Sequence, residues 1–308
     1  NIWVYILSEV ILLVYFKKAY RYFYGILIMI LLSACHYTDS SREFTFHGIT
    51  IGTSEKNLIS ILGEPDRIDE SKYGFKWYIY NDNYSDYIQV GVNEKGVCGI
   101  YTNADNWVSK SGITIGSDKE EIERTFKENF IGSDNYVSEF IIDRNNVILF
   151  YDKHNSEKLT SIFILDSSLD YDIYPENNIA IRKAFERQLF DITNAVRVRN
   201  RLPALKWNSK ISRTAREHSA DMAKNDYFDH NNKKGKTPFD RMNDDYVKYS
   251  KAGENIAAGQ PDPIYAHEEL MNSKDHRVNI LGDFERLGVG VAFGGSYKVY
   301  YTQNFYTP

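Results

Sequence analysis

Seven histidines are the residues of this 308-residue chain best suited to move protons or hold a metal, and two of them stand out. His230 follows Asn225-Asp-Tyr-Phe-Asp where a helical stretch ends, and His276 lies in Asn272-Ser-Lys-Asp-His-Arg-Val-Asn-Ile-Leu. Between them, Gly253-Glu-Asn-Ile-Ala-Ala-Gly presents Glu254 in a glycine frame that allows close backbone approach. Two imidazoles and a carboxylate that converge make a divalent-metal site with open positions. The same trio can serve as acid and base. Spacing alone does not make them converge, and three unrelated loop residues is the plainer reading.

The other histidines carry less. His36 falls in a polar tether, and His47 and His154 in polar loops. His218 sits among small residues of a helical stretch and reads as a satisfied core histidine, whereas His267, beside Glu268 and Glu269, reads as a solvent face. No Gly-x-Ser-x-Gly elbow occurs. His267-Glu-Glu-Leu-Met lacks the second histidine of a His-Glu-x-x-His zinc helix. No phosphate-cradling glycine loop precedes a helix, so no organic cofactor is expected. The two cysteines, Cys35 and Cys98, exclude a disulfide scaffold and a cysteine zinc ribbon. Cys98 lies in a hairpin pattern and reads as a small buried hydrophobe.

The elements that must position these residues show in the periodicity. Phe185, Leu189, Ile192 and Val196 step by three and four, one face of an amphipathic helix. Ile211, Ala215, Met222 and Ala223 mark a second helix, and residues 263–273, opening on Pro263, a third. Leu287, Val289, Val291 and Phe293 alternate, as do Tyr297, Val299, Tyr301, Gln303 and Phe305, so the chain ends in a hairpin turned at Gly294-Gly295-Ser296. Upstream, Gly48-Ile-Thr-Ile-Gly and Gly112-Ile-Thr-Ile-Gly repeat at an offset of 64 residues. Each predicts a β-prone Ile-Thr-Ile, a glycine turn and a helix capped by Thr53 or Ser54, or by Ser117 or Asp118. Aromatic, alternating strands follow each helix, over 75–80 and 87–92, then over 140–142, 147–151 and 159–165. Residues 44–170 therefore read as one pseudo-symmetric α+β domain, and residues 169–176 as a linker to a domain over 176–308. Apolar residues make up 43% and charged residues 26%, an ordinary globular composition. A net charge of −5 argues against a nucleic-acid partner. The 15% aromatic content fits a β-rich chain with wide tyrosine faces.

Residues 1–35 differ in kind. Lys17, Lys18 and Arg21 precede an apolar run over 22–32 that is short for a bilayer span and ends in Leu32-Ser-Ala-Cys35. That pattern resembles the bacterial lipobox, which implies cleavage before Cys35 and a diacylglycerol on its sulfur. A plain membrane anchor is the alternative. Residues 36–43, Ser- and Asp-containing, read as a tether. Either form places the chain at the outer face of a cell membrane, with secretion as the other destination.

From about residue 185 onward the chain resembles the CAP superfamily, also called the SCP/PR-1-like domain. The motifs are His218-Ser-Ala-Asp-Met-Ala through Tyr227-Phe-Asp-His, Thr237-Pro-Phe-Asp-Arg, Gly253-Glu-Asn-Ile-Ala, Met271-Asn-Ser-Lys-Asp-His-Arg-Val-Asn-Ile-Leu, Leu287-Gly-Val-Gly-Val-Ala and Tyr301-Thr-Gln-Asn-Phe. The paired repeat resembles the CAP-associated N-terminal domain of Gram-positive members. The resemblance implies an α+β chain: a C-terminal α-β-α sandwich on an antiparallel sheet, behind a two-repeat α+β domain. It also implies a cleft in which two histidines and two acids can hold zinc or another divalent ion. By motif, His230 is the first histidine, Glu254 the first acid and His276 the second histidine. The sequence departs from the pattern at the second acid, where Ser273 falls near the expected place and Glu268 and Glu269 lie one turn earlier. Three functions follow as expectations. The first is a surface binding module for a metal and a lipid, cell-wall or peptide ligand. The second is a protease-like hydrolase using Glu254 and His276. The third is a structural or partner-docking protein.

Overall fold

The computed structural model describes residues 42–169, 173–175 and 177–308. The signal-like segment, Cys35 and nearly all of the tether lie outside the described residues, as do 170–172 and 176 of the linker. Among the described residues, no helix is long and apolar enough to cross a membrane.

Among the described residues, twelve strands fall into two sheets. The first has eight: β1 (Arg67–Glu70), β2 (Lys76–Tyr80), β3 (Ile88–Asn93), β4 (Gly96–Thr102), β5 (Phe130–Asp134), β6 (Val137–Ile142), β7 (Asn145–Asp152) and β8 (Lys158–Asp166). Their order is β1-β2-β3-β4-β8-β7-β6-β5, all antiparallel. Two four-stranded meanders thus meet at their last strands, as the sequence repeat requires. Helices α1 (Glu55–Leu62) and α2 (Lys119–Thr125) lead into them.

The two Ile-Thr-Ile segments are not strands, contrary to expectation; only Ile49 forms an isolated bridge, with Phe46. Glycines at positive φ on both sides, Gly48 with Gly52 and Gly112 with Gly116, bend the chain too soon for a ladder. Each segment instead makes the same clasp. Gly52 N donates to Val97 O at 2.8 Å and Gly116 N to Leu159 O at 2.9 Å. Val97 N returns to Thr53 O at 2.8 Å and Leu159 N to Ser117 O at 2.9 Å. Ile49 and Ile113 are buried beneath these turns. Gly63, at φ 81°, ends α1 with its N–H on Ile59 O.

One face of this sheet is covered by α1, α2 and the clasps, around Leu58, Ile122, Val147 and Ile162. The other face is aromatic, with Phe75, Trp77, Tyr101, Phe150 and Phe163, and it packs on Ile192, Ala195 and Ile264 of the C-terminal domain. With both faces covered, β7 and β8 are buried almost throughout. Cys98 is buried there with its Sγ on Gly91 O at 3.5 Å, and burial pushes its thiol up to about 12.

The second sheet has the order β10-β12-β11-β9, from β9 (Lys206–Trp207), β10 (Lys251–Ala258), β11 (Arg286–Gly294) and β12 (Lys298–Thr307). Only the short β9 pairs in parallel. Helices α3 (Ile179–Arg199), α6 (Pro263–Met271) and α7 (Lys274–Ile280) lie on one face, and α4 (Ser209–Asn225) and α5 (Pro238–Asp244) on the other. The period-two pattern sorts β12 accordingly. Val299, Tyr301 and Phe305 join the cluster with Phe185 and Leu189 of α3, whereas Tyr300 meets Met222 of α4 and Tyr306 meets Ile211. This is an α-β-α sandwich, as expected. Gly288 and Gly290 let α4 lie directly on β11: a Cβ at Gly290 would sit 2.0 Å from Arg216 N.

Candidate functional site

Glu254 lies on β10, at the edge of the sheet, opposite Asn304 of β12. Its side chain is almost fully buried. Two cationic or protonatable groups meet it. His230 Nδ1 is 2.9 Å from Oε1, and Arg241 Nη2 donates to Oε2 at 2.7 Å. A carboxylate already paired with a guanidinium can only accept, so Nδ1 carries the ring proton and Nε2 is left with a lone pair. The His230 side chain keeps 46% of its exposure, so that nitrogen belongs to a wet surface.

Arg241 is the member that residue-by-residue reading missed. It is held by a capping box at the start of α5. Thr237 N donates to Asp240 Oδ2 at 2.9 Å, Asp240 N donates to Thr237 Oγ1 at 3.2 Å, and Pro238 occupies the first turn. Thr237-Pro-Phe-Asp is therefore legible as a helix start that aims the next residue. Arg241 Nη1 donates to His230 O at 2.8 Å and Lys236 O at 3.0 Å, so one guanidinium fixes both the His230 loop and the Glu254 carboxylate.

His276 is brought in by α7. A Cβ at Gly253 would stand 2.7 Å from Asn279 Oδ1, so the glycine gives α7 its approach. Asn279 Nδ2 donates to Asn255 Oδ1 at 2.8 Å and to Glu254 O at 3.3 Å. Asn255 Nδ2 donates to His276 O at 3.1 Å and to Gln303 Oε1 at 3.1 Å, and Gln303 passes the chain to Thr193 of α3. Burial lowers the pKa of His276, and a proton on the nearby His230 would lower it further against the pull of Asp275.

The three residues picked from the sequence thus gather around β10, but as a pair and a neighbour. Both Glu254 oxygens are engaged. Among the described residues no group of three or more His, Cys, Asp or Glu side chains is placed to hold a metal ion. Glu254 stands behind His230 as a carboxylate that orients its ring. Ser273 caps α7 without a side-chain bond.

Two further histidines behave differently from one another. His218 is buried with Nε2 3.0 Å from Asp229 O, and burial holds it down to about 4, in keeping with a core histidine. His267, expected on a solvent face, is 1% exposed. The aromatic face of the first sheet covers α6, which the helix alone could not reveal.

The matching families agree with this architecture. Residues 51–172 match the CAP-associated N-terminal profile and residues 190–305 the CAP profile, described as the cysteine-rich secretory protein family. The chain is 32% identical over 289 residues to the uncharacterized membrane protein YlbC of Bacillus subtilis, covering 83% of this chain and 82% of that one. It is 40% identical over 123 residues to the uncharacterized protein YkwD of the same species, 40% of this chain and 47% of that one. An extracellular SCP-domain protein of Bacillus anthracis superposes with a TM-score of 0.72 at 28% identity, over 84% of this chain and 94% of that one. A cysteine-rich secretory protein of Staphylococcus aureus shares the fold, with a TM-score of 0.68 at 18% identity over 87% of this chain and 94% of that one. The chain belongs to the CAP superfamily and carries the CAP-associated N-terminal domain ahead of its CAP domain.

Proposed function

We propose that this is a secreted or surface-held binding protein whose cleft takes a divalent cation, zinc or a similar ion, on His230 and His276, with a polar ligand on the open positions. The observation that carries the reading is the His230–Glu254 contact at 2.9 Å beneath a half-exposed imidazole. A carboxylate behind a histidine fixes its tautomer and raises its basicity toward a metal. Glu254 acts as that positioning group rather than as a ligand, because Arg241 holds its second oxygen. Two protein donors leave positions for water or for oxygen atoms of a lipid, cell-wall or peptide ligand. A bound cation would supply Lewis acidity at that point. The Bacillus anthracis neighbour, described as extracellular, supports the placement outside the cell. The test is calorimetric titration of the full chain with zinc, beside His230→Ala and His276→Ala. One site lost in both variants is the expected result; equal binding in all three proteins overturns it.

The same pair favours one second reading. An imidazole held by a buried carboxylate is the orienting half of a general base. In a hydrolase the proton would go to His230 Nε2, with Glu254 again behind it. Turnover of peptide or cell-wall substrates that falls at least about a hundredfold in His230→Gln, with the fold intact, would support it. Absence of turnover in the wild type removes it.

A further inference from the structure

A second site stands apart from the cleft, where the N-terminal sheet meets the CAP domain. A partly enclosed cavity of about 380 Å³ lies between β7 and β8 on one side and α3, α6 and α7 on the other. That is the size of a small-molecule pocket. Its walls are polar. Lys158, Arg199 and Arg277 bring three cations, against two acids, Asp152 and Glu268. Arg277 Nη2 is paired with Asp152 at 2.8 Å and Lys158 with Asp118 at 2.8 Å. Glu268 is occupied from within the fold by Ser161 Oγ at 2.6 Å, with Tyr101 and Thr160 hydroxyls at 3.3 Å, and burial pushes its carboxyl upward.

Two groups are left over. Arg199 Nη1 donates to Asn103 O at 2.6 Å and Thr160 O at 2.5 Å, yet Nε and Nη2 have no acceptor among the described residues. No carboxylate lies within ion-pair distance of that guanidinium among the described residues, although Glu268 is near enough to be felt. His267, which also lines the cavity, is 1% exposed, and its Nδ1 has no hydrogen-bond partner. A buried polar atom without a partner is destabilising and calls for an explanation. Burial, and after it the charges of Arg199 and Arg277, hold His267 down to about 3. A guanidinium edge and an imidazole with an unpartnered ring nitrogen, lining one cavity, match an anion with several oxygens.

We infer that this interdomain cavity is a binding site for a small anion carrying a phosphate or carboxylate group, received by Arg199 and His267. Phosphate and carboxylate share the oxygen geometry that suits the guanidinium edge. The ligand bridges the two domains, because Arg199 and His267 belong to the CAP domain while Lys158 and Asp152 belong to the sheet. Helix α7 carries both Arg277 on this cavity and His276 at the cleft, so the two sites share one seven-residue element.

The test is titration of the full chain with inorganic phosphate, glycerol phosphate and succinate, read by calorimetry and by the histidine ring signals in NMR. Saturable binding at one site, with a His267 signal that moves, is expected from at least one probe. Response to the phosphates alone names a phosphate ligand, and response to succinate alone a carboxylate. Affinity should fall at least tenfold in Arg199→Lys, which keeps the charge and loses the fork. Arg199 also holds two backbone carbonyls, so His267→Phe, a larger ring without nitrogens whose fold is checked by circular dichroism, provides the second variant with the same expected loss. No saturable binding up to about 10 mM in the folded wild type overturns the inference. Undiminished binding in His267→Phe overturns it as well.

Discussion

At the scale of single residues, the decisive contact is Arg241 with Glu254. Both side chains are nearly excluded from water, so removing either partner leaves the other's buried charge without its ion-pair partner at that distance. Arg241→Met should cost about 3–5 kcal/mol in urea unfolding. The double variant Arg241→Met with Glu254→Leu should recover part of that loss; a double-variant loss equal to the sum of the two single losses would show that the pair is not coupled. Protonation sets a second expectation. His218 and His267 are held at about 4 and about 3, below the 6.5 of a free imidazole. The unfolded chain therefore binds more protons than the native one once pH falls below 6.5. The stability they contribute is fully present above that value and drains away as pH drops toward 4, by a few kcal/mol in all. Urea midpoints at pH 7 and pH 5 measure the drain, and His218→Phe should flatten it. His230, Glu254 and His276 were legible in the sequence as residue types in glycine-framed or helix-end settings. Arg241 was not, because a cation after a helix start looks like any solvated arginine until its carboxylate is found. His267 misled for the complementary reason: its neighbours Glu268 and Glu269 signal solvent, yet the N-terminal sheet covers His267 and Glu268 while Glu269 stays exposed.

At the scale of elements, glycine decides how closely the layers approach. A Cβ at Gly290 would sit 2.0 Å from the Arg216 backbone nitrogen, with no flexible side chain to move aside. Gly290→Ala should therefore cost about 3 kcal/mol or more, or prevent folding. Gly132→Ala on β5, where nothing lies within 4 Å, is the matched control and should shift the midpoint little. Thermal melts of the two compare them directly. The helices α3, α4 and α6 and the final hairpin were readable from the period of their apolar residues, although α3 and α6 are buried nearly all round. The short α5 and α7 were not, since seven residues give the apolar period too little length to repeat. The Ile-Thr-Ile segments were read as strands from β-branched composition, yet flanking glycines at positive φ turned them into clasps. The repeat itself survived that error, because the same turn geometry recurs in both halves.

At the scale of the whole molecule, residues 43–308 pack as one unit. The aromatic face of the first sheet, Arg67 with Asp191 at 2.7 Å, and the hydroxyls around Glu268 join the two domains. Glu268→Leu would leave the Ser161 and Tyr101 hydroxyls buried without an acceptor, at about 1–3 kcal/mol each. Limited proteolysis should then cut faster within 169–177 than in the wild type; unchanged cutting would mean that the aromatic contacts alone hold the junction. This docking could not be read from the chain, because a sheet with two apolar faces does not announce which partner covers each. We propose that the surface beside β10, where α5 and α7 bring Arg241 and His276 to His230 and Glu254, takes a divalent cation. Zinc calorimetry on the full chain, with His230→Ala and His276→Ala alongside, tests it most directly. One zinc per chain, lost in both variants with their folds intact, is the predicted result. A folded wild type that takes up no zinc, or variants that bind as the wild type does, would contradict it.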